Sequence, residues 1–154
     1  MISVAFAIVV FFQPGTDLET LYQKAVKDSN AAVLGATACG KENTGTVRQL
    51  QKAKKLLDGA NLNAADKAAA DELLLGATVH IGAAAIDGIS ARTHANNASR
   101  LVESARTALT VAEADAFSIR ASNQAAMSKK YADSAAANRA KGLGKMTELL
   151  SYIP

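Results

Sequence analysis

A chain of 154 residues suffices for one domain with a real core, but 49% apolar content with only 5% aromatics and no tryptophan makes that core one of small side chains. Alanine buries little area per residue, which argues against a roomy ligand-holding interior and for helices packed side by side. The single cysteine, Cys39, excludes an internal disulfide framework, and the net charge of +3 is modest.

The first dozen residues, Met1 to Phe12, are apolar apart from Ser3. They lack the basic start and small-residue cleavage site of a secretory signal, and they are too short to span a bilayer. Ile2, Val4, Phe6, Ile8, Val10, Phe11 and Phe12 therefore read as an apolar arm for self-association or anchoring, against a partner, a membrane surface or a core. Gln13-Pro14-Gly15 closes the arm in a turn, and Thr16 with Glu19 forms a capping box for the helix that follows.

Leu18, Leu21, Tyr22, Ala25, Val26, Ser29, Ala32 and Val33 recur at helical spacing, which predicts a first helix ending near Ala38 with Gly40 as its stop. Lys41 to Gly45 reads as a polar connection, and Val47 to Asp58 as a second helix closed by Gly59. Asn63 is placed to cap a third helix, with Asp66 in its first turn. From Ala64 to about Asp87 this helix is apolar nearly all round, so it is expected at the centre of a bundle. Its Gly76, Gly82 and Gly88 suggest close crossings or kinks.

From Ile89 to Lys141 no glycine or proline occurs, which predicts one very long helix of roughly 80 Å. Alternate steps of four and three give a seam of Ala91, Ala95, Ala98, Val102, Ala105, Leu109, Ala112, Ala116 and Ile119, with Asn123 and Ala126 beyond. Any break is expected at Asn96-Asn97 or Ser122-Asn123, where helix propensity is lowest. Gly142-Leu143-Gly144 should end the rod, leaving a short amphipathic tail to Pro154. Between Ile89 and Lys145 nine basic residues face four acidic ones, a local net of +5 that leaves −2 for the rest. Arg92, Arg106 and Arg120, fourteen residues apart, would share one face of such a rod and could meet an acidic partner.

Chemistry is sparse. Gly35 to Lys41 matches most of a phosphate-binding loop, but Glu42 stands where the magnesium-contacting Ser/Thr belongs, and a helix pattern precedes it in place of a strand. His80 and His94 have no second ligand at helical spacing, and no Glu-x-x-His pair suggests a di-iron site. The sequence thus carries no catalytic, cofactor or metal signature. The expectation is an all-α elongated bundle of about four helices: an arm over residues 1–15 and one helical domain over 16–154, with the long helix at 89–141 and the tail at 143–154. It is expected to be no enzyme but a structural subunit binding copies of itself in a filament, appendage, sheath or virion shell. The alternatives are a helical protein held at a membrane or membrane complex by residues 1–12, and a basic helix coating nucleic acid.

Overall fold

The computed structural model describes residues 16–154; the apolar arm, its turn and the capping side chain expected at Thr16 lie outside the described residues. Three helices make up the fold: α1 (Thr16–Gly59), α2 (Ala64–Arg106) and α3 (Val111–Leu150). They have 44, 43 and 40 residues, each therefore about 60–65 Å long. Among the described residues there is no strand. One end of the bundle brings Leu57 of α1 to Ala70 of α2 and Leu149 of α3, and the other brings Ala25 to Val102 and Ala121. The helices therefore run up, down and up, with α2 and α3 in the most extensive contact.

A heptad rhythm explains why the helices are so long. On α1 the inward positions are Ala25, Ser29, Ala32, Ala36, Cys39, Asn43, Thr46, Leu50, Ala53 and Leu57, in unbroken alternation of four and three. On α2 the same rhythm runs through Ala77, Ile81, Ala84, Gly88, Ala91, Ala95, Ala98, Val102 and Ala105. On α3 it takes in Ser118, Ala121, Ala125, Ser128, Ala132, Ala135, Arg139, Gly142, Met146 and Leu149. Large side chains concentrate at the end that holds Leu57, Ile81, Met146 and Leu149, with Tyr152 and Ile153 packed against them. The middle is alanine, glycine and hydrogen-bonded polar groups.

Several expected boundaries are corrected. The break expected at residues 41–45 is absent, because Asn43 and Thr46 occupy core positions and carry the rhythm through. The glycines at 40 and 45 point into open space, where they cost propensity, about 1 kcal/mol each, without interrupting packing. α2 likewise continues through Gly88, where an added Cβ would meet Asn43 Nδ2 at 2.5 Å; glycine lets α1 approach there. At Gly142 an added Cβ would meet Ile81 Cγ1 at 2.7 Å, so this residue does not end α3 but seats it on α2.

The single long helix at 89–141 is the main correction. It is cut at Thr107–Thr110 into the C-terminal half of α2 and most of α3, at neither of the asparagine sites. Thr110 is the N-cap of α3, accepting from Glu113 N at 3.2 Å, and the Glu113 carboxylate accepts from Leu109 N at 3.2 Å. The pair has the sequence of a capping box, with the carboxylate taking the N–H one residue before the cap, and it makes the turn without glycine or proline. Behind it, Thr107 closes α2 with its N–H and hydroxyl both on Glu103 O. The seam consequently divides: Ala91, Ala95, Ala98, Val102 and Ala105 are buried on α2, whereas Leu109, Ala112, Ala116 and Ile119 are exposed. Past the turn the inward phase restarts at Ser118.

Candidate functional site

Polar side chains inside the bundle come first, since buried polar groups are where chemistry is usually found. Arg139 is buried, and its guanidinium donates to Asn43 Oδ1 at 2.7 Å, to Cys39 Sγ at 3.4 Å and to the Glu42 carboxylate. Asn43 Nδ2 in turn donates to Ala84 O at 2.8 Å, so one layer ties all three helices together. A turn away, Asp87 Oδ2 accepts from Ser134 at 2.7 Å and Asn138 at 3.1 Å. Ser128 donates to Ala91 O at 2.8 Å, and Ser29 shares a hydrogen bond with Ser99. His94 stacks on Tyr131 with ring centroids 5.3 Å apart and bonds Gln124 at 2.7 Å.

These groups bond one another and backbone carbonyls across the helix interfaces. Their effect is to set register. Alanine layers differ little from one heptad to the next, so a helix slid by seven residues would still bury alanine; only one alignment lets Asn43 reach both Ala84 O and Arg139. The signal for this layer was present in Lys41 to Thr46 but resembles a loop when core positions are assumed to be apolar.

The string Gly35 to Lys41 lies within α1, with helical backbone on both sides, and so forms no phosphate-cradling loop. Among the described residues no group of three or more His, Cys, Asp or Glu is placed to hold a metal ion. The arginine track expected along one rod is divided by the turn: Arg92 and Arg106 lie on α2, and Arg120 on the antiparallel α3. Arg106 is paired with Glu103 at 3.0 Å, and the Arg120 guanidinium lies over the Phe117 ring, 6.0 Å from its centroid. A groove of about 600 Å³ runs between α1 and α3, floored by Ala32, Ala36 and Ala125 and rimmed by the Lys24–Asp28 and Lys129–Asp133 ion pairs. The Lys24 hydrogen bond holds the Asp28 carboxyl below its ordinary range.

The outer face of α2 is different. Leu75, Val79, Ile86 and Ile89 are 61–68% exposed and share one stripe with Gly82, directly opposite the buried alanines of the same helix. The expectation that this helix sits at the bundle centre is therefore corrected: it is one of three, and it buries Ile81 while leaving Leu75, Val79, Ile86 and Ile89 facing outward. Elsewhere the exposed apolar residues form smaller groups: Leu56, Leu143 and Leu150 line a groove of about 300 Å³ between α1 and α3, and Leu109 and Val111 flank the turn between α2 and α3.

No family model, curated protein or solved structure matches this chain. Functional interpretation rests on the residues alone. By length and composition α2 could also cross a membrane, with a mean hydropathy of 1.5 over its most apolar 18 residues, of which 22% are buried. A core helix passes the same test when it is mostly buried, and α2 is not.

Proposed function

We propose that this chain is a non-catalytic structural subunit: a stiff three-helix rod that associates with copies of itself in a larger assembly such as a filament, appendage, sheath or virion shell. The observation that carries this reading is the patterning of α2, whose inner face is mostly alanine and glycine, with Ile81 and Val102 the large exceptions, while Leu75, Val79, Ile86 and Ile89 face outward. Four large apolar side chains left in water on one stripe forgo about 1–2 kcal/mol each relative to burial. A contiguous patch of that kind marks an interaction surface. The alanine interior also supports a mechanical role, since close backbone packing along about 60 Å gives rigidity and leaves little space for a substrate.

Light scattering of the full chain across concentration and salt, with and without residues 1–12, tests this reading. Species larger than one chain that grow with concentration are expected, and a monomer at every concentration would contradict it. The apolar arm is proposed as a second contact, and loss of the largest species on its deletion is the expected result.

The hydropathy of α2 favours a second reading, a rod held against a membrane by the same face. Flotation with neutral and anionic vesicles separates the two: retention on lipid with no self-association would support the membrane reading. Nucleic-acid coating loses its main support with the division of the arginine track.

A further inference from the structure

The outer stripe of α2 has an internal symmetry. Counting from Gly82, Leu75 and Ile89 each lie seven residues away, Val79 lies three before and Ile86 four after. Glu72 and Arg92 each lie ten residues away on opposite sides. We propose that this face is a two-fold interface between two copies of the chain, with the α2 helices antiparallel and crossing at Gly82. The inference rests on the self-association reading above and names its surface, partner and orientation.

Three observations carry it. The first is shape. An isologous interface must be complementary to itself, and antiparallel pairing about Gly82 brings Leu75 of one copy to the level of Ile89 of the second, and Val79 to that of Ile86. Second, Gly82 provides the crossing point: it is exposed, and a Cβ added there would meet nothing within 4 Å in its own chain. Nothing inside the bundle calls for a small residue at that position, whereas a helix laid across it would come closest there. The third is charge. Glu72 and Asp71, the latter paired with Lys67 at 3.9 Å, flank the N-terminal end of the stripe and Arg92 the C-terminal end, all exposed. Among the described residues neither Glu72 nor Arg92 is in an ion pair. Antiparallel copies place the acidic end of each stripe at the level of the basic end of the other, whereas parallel copies stack like charges.

Single-cysteine variants of the full chain on a Cys39→Ser background test the geometry, because Leu75, Gly82 and Ile89 are all exposed and can be changed without touching the core. Under oxidising conditions Gly82→Cys is expected to form a disulfide with its own kind. Leu75→Cys should link to Ile89→Cys when the two are mixed, and much less to itself. Ile86→Asp, otherwise wild type, should weaken dimerisation by at least about 30-fold, as expected for a central contact. Circular dichroism confirms that each variant remains helical. Efficient self-linking of Leu75→Cys would overturn the antiparallel orientation. A chain that assembles with none of these links, and whose assembly survives Ile86→Asp, would overturn the α2 interface while leaving self-association standing. A chain monomeric at all concentrations would overturn both, and vesicle binding by such a monomer would assign the stripe to lipid.

Discussion

The two faces of α2 invert the usual pattern of a bundle helix. Inward it presents Ala77, Ile81, Ala84, Gly88, Ala91, Ala95 and Ala98, small but for Ile81; outward, over the same turns, it presents Leu75, Val79, Ile86 and Ile89. Burial of one methyl contributes roughly 0.8 kcal/mol, so the inner face derives its stability from close contact repeated over many turns. Ile81 and Val102 are the large side chains this face buries, and four others of comparable size are left for a surface. The difference teaches that hydrophobicity alone does not identify the inside of this molecule; side-chain volume and heptad phase do.

Breaking the inner face should cost most. Gly88→Leu would drive a branched side chain into Asn43 and Cys39, and a loss of about 3 kcal/mol or more is expected in denaturant unfolding. Arg139→Ala should follow at about 2–3 kcal/mol, because it removes the donor to Asn43 and leaves a void between three helices. Thr110→Ala should cost about 1 kcal/mol by uncapping α3 at the turn. On the outer face Ile86→Ser should leave the stability of the isolated chain within about 0.5 kcal/mol, read at concentrations below association. A large loss there would mean that the outer face is needed for folding itself.

The smallest effect expected is one of pH. The Lys24 hydrogen bond lowers the Asp28 pKa in the folded state, so its contribution is present above the unfolded value near 3.8 and is lost as pH falls through the folded one. Removing that carboxylate with Asp28→Asn should reduce the acid sensitivity of unfolding slightly and leave stability near neutral pH little changed by salt.

Much of the fold is legible in the residues. Helical class, the stop at Gly59, the cap at Asn63 with its 2.9 Å bond to Asp66 N, and the phase of Ala91 to Ala105 all follow from local chemistry. The helix boundaries at which sequence and structure differ share one cause: at these places glycine and proline do not punctuate the chain. Gly88 and Gly142 serve contact between helices, while the one real interruption in the 89–141 stretch has neither residue and is written as Thr110 and Glu113. Asn43 and Thr46 look like a loop for a related reason: they are polar residues at core positions, Asn43 bonding Ala84 O on α2 and Thr46 donating back to Glu42 O within its own helix. The outer stripe was visible as excess apolarity in residues 64–87, but only the position of the other helices reveals that it faces away from them.

The most direct test of the account is the molar mass of the full chain by light scattering over a wide range of concentration, beside Ile86→Asp under identical conditions. The account predicts a mass that climbs from one chain to at least two as concentration rises, and a variant held at the single-chain mass with unchanged helicity. Equal masses for the two proteins at every concentration would contradict the claim that the outward face of α2 joins one copy to another.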